Sequence, residues 1–374
     1  MRCLGLAHPG LRARVRSVIG PSKRIRTGFG ACLGSAAGIL LAGASPAEDS
    51  APAAESLALT PALHRPLDRA SDFAPAGVLL DHTHERGDWT FLYRYERVSD
   101  DRLMQGEATL SPAEFAVQYP AYSSTPLSQL NQTHTFGVMY APHERFTVAM
   151  LLPFVQKRLD QSVDGVTDRQ ETSGIGDALL IVLIPFMQKG TEKTQFNVAL
   201  SLPTGSIRVD GSDGMRLPYT MQHGSGSWDV HWGLTYTGKH ERLSWGAQVD
   251  SQYRTGKNDL GYELGAIYQA SSWLAGELGD WLSVSARLGW AKTQNIKGAD
   301  PALATPEATA FSPLNAANRQ GGTRVEMGPG LNLLLPILGG QRFSFEALFP
   351  LYQSVDGPQL APDVKYTVAW QWIY

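Results

Sequence analysis

The chain has 374 residues, a net charge of -3 and two cysteines. That balance excludes the basic footprint of a nucleic-acid-binding protein. The mean hydropathy of -0.18 is ordinary for a water-soluble chain, and beyond the N-terminus no run of about twenty apolar residues offers a helical membrane span. A membrane β-barrel is not excluded, because its apolar and polar residues alternate and average out.

In chain order, Arg12, Arg14, Arg16, Lys23, Arg24 and Arg26 form a basic n-region. Residues 28–43, GFGACLGSAAGILLAG, are an apolar h-region, and Ser45-Pro46-Ala47 is a small-x-small cleavage site. Together they predict a signal peptide over 1–47. Cys3 and Cys32 both lie in it, so the mature chain is expected to have no thiol, disulfide or cysteine metal site. Residues 48–87 begin rich in Ala, Pro, Asp, Glu and Ser, and are expected to form a flexible N-terminal arm. The remainder, 88–374, is expected to be one barrel domain.

From Trp89 onward the pattern turns to short alternating segments, with no helical period between them. Strands are predicted at 88–98, 132–140, 145–155, 174–187, 194–203, 227–237, 241–253, 262–271, 282–292, 323–335, 342–352 and 364–374. The fold class is therefore all-β: an antiparallel transmembrane β-barrel of about 12 strands, within a range of roughly 10–14. The connections support this. Long ones (99–131, 156–173, 204–226, 293–322) mostly alternate with short ones (141–144, 188–193, 238–240, 336–341), as in a bacterial outer-membrane barrel with long outer loops and short periplasmic turns. The pair 254–261 and 272–281 breaks the pattern.

The segment SWDVHWGLTYTG (227–238) illustrates the two faces. Trp228, Val230, Trp232, Leu234 and Tyr236 alternate with Asp229, His231, Gly233, Thr235 and Thr237, so the first set is expected to face lipid and the second the lumen. The same reading places Arg94, Glu96, Gln248, Asp250, Arg254, Glu263, Arg287, Arg324, Glu326 and Glu346 on the transport path with Asp229 and His231. Such a lining carries both signs and defines neither an anion nor a cation filter. A barrel this narrow is expected to be constricted by its own side chains and loops. The strand GIGDALLIVLIPFM is apolar on both faces, and periodicity offers no account of its inward side.

The chain ends KYTVAWQWIY. Thr367, Trp372 and Tyr374 are similar to the outer-membrane assembly signal of polar, x, Gly, x, x, hydrophobic, x, aromatic, with Ala369 in place of the glycine. The resemblance implies recognition by the barrel-assembly machinery.

Several longer stretches resemble a bacterial outer-membrane family catalogued under phenol (aromatic) degradation and labelled "transporter". They include GVLLDHTHERGDWTFLYRYERV (77–98), FGVMYAPHERFTVAMLLPF (136–154), SGIGDALL (173–180), LSLPTGSI (200–207), LPYTMQHGSGSWDVHWGLTYTG (217–238), SWGAQVDSQYRTGKNDLGYELG (244–265) and DGPQLAPDVKYTVAWQWIY (356–374). The resemblance spans nearly all of the mature chain and implies a barrel channel for small molecules. Some relatives carry His-Met-His where His82-Thr83-His84 stands here, a set suited to soft metal ions. With Thr83 in that place, His82 and His84 remain weak metal candidates without an evident third ligand.

The reading is a small-molecule channel of the bacterial outer membrane, open to hydrophobic or aromatic solutes, with no cofactor. Its partners would be the lipid bilayer, lipopolysaccharide, the assembly machinery and the solute. The alternatives are an outer-membrane enzyme acting on lipid or peptide, for which Ser225 with His223 or His231 is the cluster to examine, and a structural barrel without transport. Ser225 lacks the G-x-S-x-G frame of a nucleophile elbow.

Overall fold

The computed structural model describes residues 69–335 and 340–374. The expected signal peptide and the arm up to residue 68 lie outside the described residues. Strands are β1 (Trp89–Asp100), β2 (Arg102–Gly106), β3 (Ala108–Thr109), β4 (Ser124–His143), β5 (Phe146–Val163), β6 (Val166–Ile175), β7 (Ala178–Lys189), β8 (Glu192–Leu202), β9 (Asp229–His240), β10 (Leu243–Arg254), β11 (Ile267–Gly279), β12 (Leu282–Thr293), β13 (Gly322–Leu335), β14 (Gln341–Ala361) and β15 (Val364–Ile373).

Antiparallel pairing runs from β13 through β12, β11, β10, β9, β8, β7, β5, β4, β1 and β15 to β14, and β13 pairs with β14 to close the ring. This is a closed barrel of 12 strands. The hairpin of β2 and β3 leans on β14, and β6 extends the β5 edge. The last strand closes on the first: Thr90 pairs with Ile373, and the backbones of Trp89 and Tyr374 exchange hydrogen bonds at 2.7 and 2.8 Å. Thr367 and Ala369 are buried, whereas the Tyr374 side chain is exposed.

Alternation along the strands is reflected in exposure. On β9, Val230, Trp232 and Leu234 are exposed, while Asp229 and Thr235 are buried. On β12, Val284, Leu288 and Trp290 are exposed, while Ser283, Arg287 and Ala291 are buried. A sheet with its apolar face outward and its polar face enclosed is inverted relative to a soluble barrel, and it suits a lipid surround. Exposed Trp89, Phe146, Trp281 and Tyr374 lie at the short-turn end, with Trp228, Tyr253 and Trp290 towards the other. Aromatic residues at these levels match the interfacial girdles of membrane barrels.

Two boundaries differ from expectation. The strand expected at 262–271 is β11, Ile267–Gly279. Tyr262 and Leu264, which suggested a strand, belong instead to a packed loop cluster with Ile207, Tyr219, Ile296 and Leu303. With this correction the connection 255–266 becomes long and 280–281 short. The expected long connection 353–363, however, shrinks to the two-residue turn 362–363 because β14 runs on to Ala361, so loop length sorts by end except there and at the tip of the β5–β6 hairpin. The strand expected at 174–187 is interrupted at Gly176–Asp177 between β6 and β7, where the Gly176 amide donates to the Pro153 carbonyl at 2.8 Å. The β5–β6 hairpin then turns at Asp164–Gly165, both with positive φ (50° and 80°), as a tight two-residue hairpin requires.

At the long-loop end, segments 203–228, 255–266 and 294–321 form a cap around two apolar clusters. The second unites Leu159, Leu217, Met221 and Leu314. Burial pushes the Tyr262 phenol up to about 12, a sign of how dry the cap is.

The faces can be tested by two arginines. Leu234 is exposed on the outer face, whereas Gln269 lines an internal chamber. Leu234→Arg is expected to lower the free energy of reversible folding into bilayers by about 2–4 kcal/mol. Gln269→Arg is expected to cost markedly less; equal losses would contradict the assignment of faces. Thr235 is unsuited to this comparison because it is fully buried beneath Gln248.

Candidate functional site: a segment across the bore

Residues 69–87, expected to be part of a flexible arm, instead thread the barrel. The segment enters at the short-turn end, where the Ala70 amide donates to the Asp280 carbonyl at 2.9 Å. Lys239 Nζ holds Asp72 at 2.7 Å and Glu277 at 2.9 Å. The chain then crosses the lumen and returns along β5 to β1, with the His84 amide donating to Thr147 Oγ1 at 3.2 Å.

Three sets of wall residues hold the crossing. The first centres on Arg342 of β14, buried and within 4.5 Å of the Phe73 ring centroid. Its guanidinium donates to Gln371 Oε1 at 2.7 Å, to Asn332 Oδ1 at 3.0 Å and to the Ala74 carbonyl. Asp81 folds back to accept the Ala74 amide at 2.7 Å and His82 Nδ1–H at 2.8 Å. Burial alone would raise the Asp81 pKa, but the His82 ring, Arg342 and the Ala74 amide outweigh it and hold the carboxyl well below its usual range.

The second is the buried pair of Arg287 on β12 and Glu346 on β14, 2.6 Å apart. Glu346 also accepts the Gly77 amide at 2.9 Å. A Cβ at position 77 would meet Glu346 Oε1 and Oε2 at 2.8 Å and collide with the Arg287 guanidinium. Only glycine lets the backbone approach this pair so closely.

The third is apolar. Leu79 and Leu80 rest against a cluster of Leu92, Met139, Ala149, Leu151, Ile181, Leu183 and Ala199. The inward side of β7, unexplained by periodicity, supplies Ile181 and Leu183 to this seat. Gln248 Nε2 donates to the Leu79 carbonyl at 2.9 Å, and Gln195 Nε2 to the Leu80 carbonyl. Leu80 has φ of 60°, a left-handed conformation costing a non-glycine residue about 1–2 kcal/mol. It persists because the carbonyls of Leu79 and Leu80 are pinned and the side chain is seated.

The crossing divides the lumen into two chambers. One, of about 590 Å³, lies between the crossing and the cap and is bordered by Gly77, Leu79 and Leu80. The other, of about 1250 Å³, lies towards the short turns and is bordered by Phe73, Ala74, Asp81, His82 and His84.

Of the expected path residues, Arg94, Glu96, His231, Gln248, Asp250, Arg287, Arg324 and Glu326 line the smaller chamber. Most of its charges are paired: Arg94 with Glu96 at 2.8 Å, and Glu326 with Lys365 at 3.0 Å and Arg324 at 3.4 Å. Asp229 and Arg254 form a buried pair, with Ser227 Oγ donating to Asp229 at 2.8 Å. Glu346 serves the crossing. Glu263 stands apart in the loop before β11, bridging Lys297 at 2.7 Å. Sequence reasoning missed Arg342, although it lies four residues before Glu346 on the same face of β14 and parity could have found it.

The rival clusters do not assemble. Ser225 Oγ donates to Asp177 at 2.8 Å, and His223 Nε2 pairs with Thr172 Oγ1 at 2.6 Å. Burial, then the Lys157 ammonium, lowers the His223 pKa. The rings of His82 and His84 are 4.8 Å apart, but the described residues contain no group of three metal-ligating side chains.

A closed antiparallel barrel with an apolar exterior, aromatic girdles and an internally crossed lumen has the build of an outer-membrane β-barrel. The chain belongs to the family described as "Putative MetA-pathway of phenol degradation", whose model matches residues 127–318. An outer-membrane channel from Pseudomonas putida F1 has the same fold, with a TM-score of 0.58 at 15% identity over 79% of this chain and 99% of that one. A looser likeness links the chain to a Pseudomonas aeruginosa FadL homologue, with a TM-score of 0.36 at 8% identity over 76% of this chain and 90% of that one. No curated protein matches the chain.

Gly77→Val is expected to dislodge the crossing while leaving the wall intact. Hydrogen–deuterium exchange at residues 74–80 should then accelerate by about tenfold or more, as amides lose their buried acceptors. Unchanged protection would show that the close approach at Gly77 does not hold the segment.

Proposed function

We propose that this chain is a small-molecule channel of the outer membrane for apolar and aromatic solutes, with a path interrupted by residues 73–84. The observation that carries the reading is the pair of chambers on either side of the crossing. A barrel serving only as a wall or anchor has no need of two internal volumes lined by both polar groups and an apolar seat. The apolar seat against Leu79 and Leu80 would offer aromatic bodies a surface once the segment shifts. Membership of a family described by phenol degradation, and the likeness to a protein described as an outer-membrane channel, agree with this.

The barrel itself does no chemistry in this account. The Ser225 hydroxyl is directed at Asp177 rather than at a histidine, which is not the nucleophile–base pairing that a serine-based mechanism uses. The chain is exported by the segment over 1–47, inserted by the assembly machinery through β15 and Tyr374, and set among lipid and lipopolysaccharide.

The test uses vesicles with a lipopolysaccharide outer leaflet, which slows passive entry of phenols. The full-length barrel should speed uptake of labelled phenol over protein-free vesicles and leave a trisaccharide excluded. Gly77→Val should raise phenol flux further. Phenol uptake no faster than in protein-free vesicles for both proteins, despite a correctly folded barrel, would overturn the reading.

A further inference from the structure

The smaller chamber contains a polar corner that the crossing does not use. Strand register places Leu183, Asn197, Gly233, Asp250, Gln269, Ala291 and Arg324 in one row across neighbouring strands. The adjacent row runs Ile181, Ala199, His231, Gln252 and Ile267. Small residues at Ala199 and Ala291 border the chamber beside the polar ones. A Cβ at Gly233 would meet Asn197 Nδ2 at 2.6 Å, so the glycine lets the Asn197 amide lie flat against the wall, and Asn197 itself borders the chamber.

Asp250 differs from the other inward acids described above. Glu96, Asp229, Glu326 and Glu346 each hold an arginine or lysine. Asp250 borders the chamber and, among the described residues, makes neither a hydrogen bond nor an ion pair. Nearby, His231 Nε2 is buried without a partner. Arg324, the cation in the Asp250 row, is three strands away, about 14 Å along the wall at normal strand spacing, and faces Glu326. Unpaired polar groups in an enclosed space are costly and call for a partner.

The same chamber is bordered by Leu79, Leu80, Leu151, Leu179 and Ile181. Its volume of about 590 Å³ falls in the range of small-ligand sites. We propose that this chamber is a binding site for cationic amphiphiles: a primary ammonium head held by Asp250, with His231 Nε2 as a second acceptor, and an aromatic or aliphatic body on the leucine and isoleucine surface. The proposal rests on the channel reading and sharpens it by naming a solute class and the residues that select it. Asp100 at the far end of β1 also borders the chamber without an arginine or lysine, but it accepts from Asn131 Nδ2 at 2.7 Å. Asp250 has no such donor among the described residues and lies beside the apolar surface, which makes it the position where a ligand cation replaces a missing protein cation.

Isothermal titration calorimetry on the full-length barrel in detergent tests this without requiring transport. The probes are 2-phenylethylamine, 2-phenylethanol and 3-phenylpropionate. The amine should bind best and the carboxylate worst. Asp250→Asn should weaken amine binding by about tenfold or more, the effect of losing one charge-assisted hydrogen bond, and leave the alcohol unchanged. Ala199→Phe, which adds a bulky ring to a residue that borders the chamber in the His231 row, should abolish binding of both. Folding of each variant is checked by its heat-dependent gel shift. Equal amine affinity in wild type and Asp250→Asn, equal affinity for amine and carboxylate, or no amine binding by folded wild type would overturn the proposal. Phenol flux in the vesicle assay is measured separately, so a channel that conducts without binding amine refutes only this site, whereas amine binding without flux refutes only the channel reading.

Discussion

The lumen is organised by the close approach of the Gly77 backbone to the Arg287–Glu346 pair. Burying an ion pair is expensive unless its remaining hydrogen-bonding capacity is used. Here Glu346 uses part of that capacity on the Gly77 amide, so the pair and the segment stabilise each other. With Gly77 fixed, Phe73 and Ala74 fall beside Arg342, and Leu79 and Leu80 fall on the apolar seat. Without this contact the segment would present backbone polar groups to the bore with few partners, and two chambers would become one.

The wall and the crossing answer different solvents. Outside, exposed Val230, Leu234, Val284 and Leu288 match hydrocarbon. Inside, wall side chains do what a sheet partner would do for an ordinary strand. Gln195 and Gln248 donate to consecutive carbonyls of the crossing, and Asn332 and Arg342 donate to earlier ones. A segment held largely through side chains can leave without breaking a backbone ladder. That distinguishes a removable obstruction from a structural strand.

The wall was legible in the sequence because lipid outside and polar lumen inside impose period-two alternation on each strand. Loop-length parity then pointed to a meander with two unlike ends, although the turn 362–363 departs from it. The overhanging parts of β4, β5 and β14 were not legible: stretches such as STPLSQLNQ and QKRLDQSV extend past the level where one face meets lipid, and the alternation fades. Tyr262 misled for a related reason, since a buried loop aromatic has the same composition signal as a strand residue. The crossing itself was hidden. Residues 73–84 carry no periodicity because they contact wall residues separated from them by up to 269 positions in the chain. The doubly apolar strand β7 was the visible trace of it: an inward apolar face in a barrel needs something apolar to cover it, and Leu79 and Leu80 do so.

The central claim is that residues 73–84 occupy and interrupt the bore, and a reversible tether tests it most directly. Leu80→Cys with Gln195→Cys, in a chain with Cys3 and Cys32 changed to Ser, puts one thiol on the crossing and one on the wall strand whose Gln195 side chain reaches the Leu80 backbone. A bifunctional methanethiosulfonate of several ångströms, rather than a direct disulfide with its strict geometry, joins them. In single-channel recordings, the account predicts that the cross-link silences openings, and that adding a reductant restores them. A cross-link that forms and leaves conductance unchanged would contradict it.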